Sequence, residues 1–259
     1  MDLRERQAAP SHRHPWETAR ARFVVDLLAE HGVKGDGARR PRVLDVGAGD
    51  GFIAGVVAEA ACEVVACDVA FSPADVAALS AVAGVTATTR LPDGAFDAGL
   101  ALDVIEHVDD DVALLAELRA RVRPGGLVVV TVPAWPALSS RHDIALGHRR
   151  RYTPRACRAA AEAAGLVVER AGGLFHALLL PRGLAVLGEV VAGVRGAAVV
   201  HADRFGVGAW RHGRIVTGAI VGALRLEQRL SRRWSRRGVW VPGLSYFVVA
   251  RVPDPGASS

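Results

Sequence analysis

The sequence predicts a doubly wound α/β fold: a largely parallel sheet with helices on both faces. Three observations predict it. Between residues 42 and 133, short and almost unbroken apolar runs alternate with helix-length segments, the pattern of strands buried on both faces and joined by crossover helices. A glycine-rich turn, "GAGDG" at 47–51, follows the first of these runs. Half of the 259 residues are hydrophobic while few are aromatic, so Ala, Val and Leu can fill the core of one large domain.

Taken in order, residues 1–15 are polar and charged, which predicts a disordered N-terminus ahead of a domain spanning 16–259. "WETARARFVVDLLAEHG" places Phe23, Val24, Leu27 and Leu28 at helical spacing, with Gly32 as its stop. Strand-like 42–47 precedes helix-like 52–60, and strand-like 63–69 precedes helix-like 72–82. A short strand (85–88), a strand at 96–104, a helix at 109–122 and a strand at 126–133 complete the alternation. Residues 134–152 form a long polar segment without periodicity. A helix follows, with Thr153 as N-cap, Pro154 in its first turn and Gly165 as its stop. Strands at 166–174 and 244–252 bracket a basic, apolar, helix-prone insert at 176–240.

Cys62, Cys67 and Cys157 form neither a CxxC pair nor a metal-ligand spacing. Cys62 and Cys67 lie in an expected buried strand, where a thiol behaves as a small hydrophobe. The opening residues do not read as a signal peptide. The longest apolar stretch, 183–200, is broken by Glu189 and Arg195, so no spanning helix is expected and the predicted location is cytoplasmic.

The glycine turn limits the ligand. A dinucleotide fingerprint, GxGxxG, would carry its third glycine one residue later than Gly51. A P-loop would continue into GK[ST], which is absent. Asp45 and Asp50 would both repel a pyrophosphate unless neutralised. A ligand with positive charge near the turn fits better. S-adenosylmethionine (SAM) has an ammonium, a sulfonium and a ribose diol but no phosphate, and Asp68 ends the next strand at an offset that suits a diol.

"VLDVGAGDG", "VVACD", "FDAGLALDVIEHV" and "RVRPGGLVVVTVP" occur in this order. Together they resemble the motifs of class I SAM-dependent methyltransferases, most closely the branch that includes the ubiquinone and menaquinone biosynthesis methyltransferases. The resemblance runs over residues 42–133 and weakly to 175. It implies a Rossmann-like seven-stranded sheet with the last strand antiparallel. It also implies that Asp45, Gly47, Ala48 and Gly49 form the cofactor turn and face the methionine end. Asp68 would bind the ribose, Val69 would flank the adenine, and Asp103 would lie near the methionine moiety and the reacting methyl. In one departure, Ala87 stands where the family often has an acid for the adenine amino group.

Two groups are candidates for the chemistry. His107, just past the fourth strand of the motif series, is a candidate base; the alternative is a helix cap or a packing contact. Asp103, Glu106 and His107 also resemble the ExxEH element of some metal-dependent methyltransferases, with Asp in place of the first Glu, and no metal is assigned. The segment 141–154, "RHDIALGHRRRYTP", follows the fifth strand and is expected at the same sheet edge. It offers His142, His148, Arg150 and Tyr152 to an acceptor, with His148 a second candidate base. Its arginine forks suit an anionic group. The alternative is a solvated loop whose arginines pair with nearby acids.

Charge is concentrated in the insert. Residues 174–243 hold eleven arginines against three acids, although the whole chain is only +5. Along 215–237, Ile215, Val216, Ile220 and Leu226 form an apolar stripe with arginines gathered toward its end. The insert reads as part of a lid, a peripheral membrane contact through 211–237, or a dimer face; aromatics are not interleaved as nucleic-acid binding would require. The overall expectation is methyl transfer from SAM to oxygen or carbon of a small or lipid-like acceptor with an anionic group. Two competing readings stay open: a non-catalytic SAM-binding or assembly protein, and a nucleic-acid or protein methyltransferase.

Overall fold

The computed structural model describes residues 13–194 and 212–254. The expectation for residues 1–12 lies outside them, as does the part of the insert between 195 and 211. Residues 13–15, expected as tail, instead begin the structure. His14 and Glu17 form a reciprocal capping box, and Pro15 opens helix α1 (Pro15–Glu30), because a proline at the first helical position lacks only an N–H that the helix does not use.

The alternation predicted from 42 onward is present: β1 (Arg42–Val46), α2 (Phe52–Glu59), β2 (Glu63–Cys67), α3 (Pro73–Ser80), β3 (Val85–Thr88), β4 (Phe96–Leu102), α4 (Asp111–Arg121) and β5 (Val122–Pro133). Most elements end one or two residues inside the predicted bounds. Strand β5 differs, starting four residues earlier through a register shift against β4. Cys62 falls just before β2 rather than within the strand, and it is buried all the same. The polar segment after β5 holds a helix missed in sequence, α5 (Arg141–Leu146). Then follow α6 (Pro154–Ala163), capped by Thr153, β6 (Val167–Leu174), α7 (Leu179–Val191), α8 (Arg214–Ser235) and β7 (Ser245–Arg251).

The seven strands run in the order β3-β2-β1-β4-β5-β7-β6. Strands β1 to β5 pair in parallel, and β7 is antiparallel to both neighbours. Chain order reverses between β1 and β4, and in an open parallel sheet the crevice beyond the strand C-termini at such a reversal receives ligands. Two apolar layers sandwich the sheet. One joins α1 and α2 to Val43, Leu100, Leu127 and Phe247; the other joins α4 and α6 to Leu44, Val128, Val130 and Val248. Adjacent strand residues thus serve opposite layers, and β4 is buried along its whole length. Among the described residues, no helix is long and apolar enough to cross a membrane.

Candidate active site

The end of β1 sets the first half of the site. Gly47 has φ +67°, and a Cβ there would lie 2.5 Å from a Val104 methyl. Any side chain would meet both backbone strain and a clash. The Gly47 and Ala48 amides donate to the Cys67 carbonyl at 2.8 and 3.2 Å. Asp68, one residue past β2, accepts from the Gly49 amide at 2.9 Å and the Ala70 amide at 2.9 Å. Asp68 therefore braces the glycine turn as well as ending its own strand. Val69 is 89% exposed at the crevice edge, an orientation open to a flat ligand face. Ala87 is buried in the core.

Asp45 is buried within β1, and burial pushes its carboxyl up to about 7. Such a group ionises readily only beside a cation. Asp50 has a different role. Its carboxylate pairs with Arg13, which also lies over the Phe52 ring at 4.4 Å. Asp50 is neutralised by Arg13, so the case against a pyrophosphate rests on Asp45 and its neighbour Asp68.

Asp103 ends β4 with φ +56°, a left-handed backbone unusual for a residue with a side chain and a form of strain that clusters at ligand sites. The twist turns its carboxylate toward Thr131, whose hydroxyl donates at 2.8 Å. Arg20 of α1 reaches the same carboxylate at 2.7 Å and the Thr131 hydroxyl at 2.8 Å. Arg20 is buried, and its guanidinium stacks on Trp16 at 4.9 Å. Sequence reading missed Arg20 because it looked like the polar face of an amphipathic helix. Nothing local in "ETARARF" marks it as facing inward.

The second half of the site lies beyond β4 and β5. His107 and His148 meet edge to face with ring centroids 4.8 Å apart. His148 Nδ1 lies 3.0 Å from Asp143 Oδ1. Asp143 is buried and also receives Arg151 at 2.8 Å and Arg182 of α7 at 2.6 Å. Burial alone would raise this carboxyl, but the His148 hydrogen bond and the two guanidiniums hold it well below the ordinary range. Ser140 and Asp143 form the capping box of α5; that S-x-x-D pattern was the sequence signal that could have located the helix. Glu106 is fully buried, neither carboxylate oxygen has a hydrogen-bond partner, and burial together with Asp103 raises its pKa well above normal. Glu106, His107 and His148 bring ligand-type atoms within 4.8 Å of one another.

The remaining predicted acceptor residues sit less openly than expected. Tyr152 is buried, and its hydroxyl lies 2.6 Å from Asp111 and 3.2 Å from the Ile105 carbonyl. Arg150 donates to the Val108 and Asp109 carbonyls at 3.0 Å each. Arg149 donates to the His107 carbonyl and pairs with Asp109. His142 is half-buried on α5, and burial lowers its pKa. The arginines thus stitch the loop to the β4–α4 connection.

Residues 16–171 match the methyltransferase domain family. The chain belongs to that family. It is 32% identical over 130 residues to a ubiquinone biosynthesis O-methyltransferase of Mesorhizobium japonicum, covering 45% of this chain and 52% of that protein. It is also 32% identical over 143 residues to a probable S-adenosylmethionine-dependent methyltransferase of Mycolicibacterium smegmatis, covering 52% and 55%. The chain therefore spans about half the length of the curated relatives it matches. A SAM-dependent methyltransferase structure from Archaeoglobus fulgidus superposes with TM-score 0.50 at 16% identity, covering 91% of this chain and 96% of that one. Phosphoethanolamine N-methyltransferase 2 of Haemonchus contortus, in complex with SAM, superposes with TM-score 0.50 at 18% identity, covering 90% and 52%. These likenesses establish the Rossmann-like fold, and SAM is the cofactor of the family. The residues present fit SAM: a side-chain-free turn, a buried carboxylate wanting a cation, a carboxylate at the end of β2, and Arg20 beside Asp103.

Proposed function

We propose that this protein transfers a methyl group from SAM to oxygen or carbon of a small or lipid-like acceptor carrying an anionic group. The observation that carries the reading is the ring of Asp45, Asp68, Asp103 and Arg20 around the glycine turn, which matches the charges of a zwitterionic methionine end and a ribose diol. Bound SAM supplies an electrophilic methyl on a sulfonium. Asp45 and Asp103 would hold the ammonium, Arg20 would hold the carboxylate, Asp68 would accept from the ribose hydroxyls and Val69 would flank the adenine.

Methyl transfer of this kind mainly needs the nucleophile held in line, with a base where the nucleophile carries a proton. His148 is the base in this reading. With Nδ1 donating to Asp143, its Nε2 is left to accept the acceptor's proton, and the edge-on His107 ring limits how the imidazole can turn. Arg149 and Arg150, with side chains 51% and 36% exposed, are the groups that reach an acceptor anion; Tyr152 and His142 shape the loop from within. A second reading places a divalent cation among Glu106, His107 and His148. It is favoured by the two Glu106 oxygens that lack partners; activity unchanged after chelation would remove it.

In this reading the insert is a lid. Arg182 of α7 bonds both Ser140 and Asp143, and Glu189 accepts from the Arg141 amide at 3.1 Å, so α7 is fastened to the acceptor loop. Exposed Leu180, Leu184, Leu187 and Val191 on α7, and Ile215, Leu226 and Leu230 on α8, support peripheral contact with a membrane-borne acceptor. The test is an extract assay with methyl-labelled SAM beside calorimetry of SAM binding. Binding with labelled product is expected. Binding without transfer to any extract component would favour a scaffold that keeps the fold but not the reaction.

A further inference from the structure

The molecule has a second concave, strongly charged place, away from the glycine turn. An open cavity of about 430 Å³ lies between the C-terminal ends of α1 and α8, lined by Glu30, Arg229, Arg232, Arg233, Arg236 and Arg237. The five arginines are spaced i, i+3, i+4, i+7 and i+8, the spacing that puts every member on one face of a helix. Glu30 and Arg20, which serves the cofactor site, are ten residues apart on α1, about 15 Å at 1.5 Å per residue. The cavity is thus distinct from the candidate active site.

Its arginines divide into two sets. Arg232 and Arg236 are oriented by acids of α1. Arg232 pairs with Glu30 and lies 2.7 Å from Asp26, Arg236 lies 2.7 Å from Glu30, and Arg170 of β6 reaches Glu30 at 3.0 Å from the sheet side. The guanidiniums of Arg229, Arg233 and Arg237 have no hydrogen-bond or ion-pair partner among the described residues. They recur every fourth residue, Arg229 and Arg233 about 6 Å apart along α8 and Arg237 just past its end, where the helix dipole favours cations. Two acids, Asp26 and Glu30, therefore face six guanidiniums when Arg170 is included. Charge of this density on one wall, backed by a fixed framework of ion pairs, complements an extended anion with several charges.

We propose that this cavity is a binding site for a multivalent phosphate-bearing anion. Guanidinium forks match phosphate oxygens in pairs, and three free forks spaced along two helical turns match several phosphates in a row better than one carboxylate. The same chemistry is offered by a soluble polyphosphorylated molecule and by phosphate headgroups of a lipid surface. The inference does not depend on what the methyl acceptor is.

The test uses the full chain and the variant Arg229→Ala, Arg233→Ala, Arg237→Ala, which leaves every described ion pair of the cavity in place. SAM affinity and thermal midpoint serve as its folding controls. Inorganic tripolyphosphate is titrated calorimetrically, and vesicles of phosphatidylcholine with phosphatidylglycerol are used in co-sedimentation. Tripolyphosphate should bind the wild type, weaken with salt, and lose at least tenfold in the variant. Added vesicle binding with the same loss identifies headgroups as the source, and tripolyphosphate binding alone identifies a soluble ligand. Failure of tripolyphosphate to bind, or equal binding by the variant, overturns the site. Vesicle binding without tripolyphosphate binding overturns it too, because a diffuse surface charge would explain that result.

Discussion

The two halves of the candidate site are built on different principles. In the cofactor half, the acids and glycines take their positions from the strand ends: Asp45 within β1, the glycines directly after it, Asp68 after β2, Asp103 after β4, with distant Arg20 and Thr131 fixing only the Asp103 carboxylate. In the acceptor half, most residues are placed by a partner some forty positions away, although His148 and Arg151 meet Asp143 within eight positions. Arg149 reaches His107, Arg150 reaches Val108, Tyr152 reaches Asp111, and Arg182 reaches Asp143. The first arrangement survives changes elsewhere as long as the sheet forms. The second rests on a few buried charges, above all Asp143.

The largest effect is therefore expected at Asp143. Replacing it with Asn leaves Arg151 and Arg182 with side chains only 6% and 16% exposed and no anion between them. Breaking a buried pair costs about 3–5 kcal/mol. Asp143→Asn should lower thermal stability by this order and abolish methyl transfer, while SAM affinity stays within about twofold, a few tenths of a kcal/mol. Denaturant unfolding and calorimetry measure both sides. A variant that keeps its stability and loses SAM binding instead would mean that the two halves are not separate.

The cofactor half is sharpened by Asp68→Ala. Removing a charged hydrogen-bond acceptor should weaken SAM binding by about 1–3 kcal/mol. Because Asp68 also holds the Gly49 and Ala70 amides, part of this loss should come from a looser turn. Faster amide exchange at Gly49 in the free variant would show it; unchanged SAM affinity would refute the ribose assignment.

A pH titration probes the cofactor half through Asp45. The Asp45 carboxyl is raised from 3.8 to about 7 by burial. Between these values the folded protein holds a proton that the unfolded chain has released, so stability of the free protein falls as pH rises from about 4 to about 7 and is level above. If the SAM ammonium needs the carboxylate, affinity should rise with pH over the same window, approaching about tenfold per unit in the steepest part, equal to about 1.4 kcal/mol. Calorimetry from pH 5 to 7 on wild type and Asp45→Asn would test this, and a wild-type affinity flat with pH would remove Asp45 from the ammonium site.

These contrasts explain what was legible in the sequence. Strands β1 to β5, the glycine turn and its acids could be read because burial on both faces writes itself as apolar runs, and strand ends as the acids and glycines after them. Helix α5 could not, since six residues are too short for a helical period and only its Ser140–Asp143 cap marked it. Arg20 was passed over, and Glu106 was noticed only as part of an ExxEH-like element, for a related reason. Arg20 looks solvated on the helix wheel of α1, and Glu106 gains its interest from being buried without partners, which spacing does not reveal. The arginines of 149–151 were visible, but their partners were not.

The smallest effect is expected at Arg150, and there the comparison can fail most informatively. Its guanidinium donates to the Val108 and Asp109 carbonyls and lies 3.5 Å from Asp111, and its side chain remains partly exposed. Two charge-assisted hydrogen bonds from a partly solvated guanidinium are worth about 1 kcal/mol together once solvent screening is discounted, and an exposed ion pair adds at most about 1 kcal/mol. Arg150→Ala should therefore cost little stability and leave SAM affinity within about twofold. Turnover separates the two roles. A guanidinium that meets the acceptor anion should, when removed, raise KM with little change in kcat, and Arg150→Lys should restore part of the affinity through its charge. A residue that only holds the 108–111 connection should lower kcat through a displaced His148, with no rescue by Lys because an ammonium cannot span two carbonyls as the fork does. A KM increase rescued by Lys would show that an exposed arginine of this loop serves the acceptor despite its internal bonds; a kcat loss without rescue would assign the whole 149–151 run to holding the loop together.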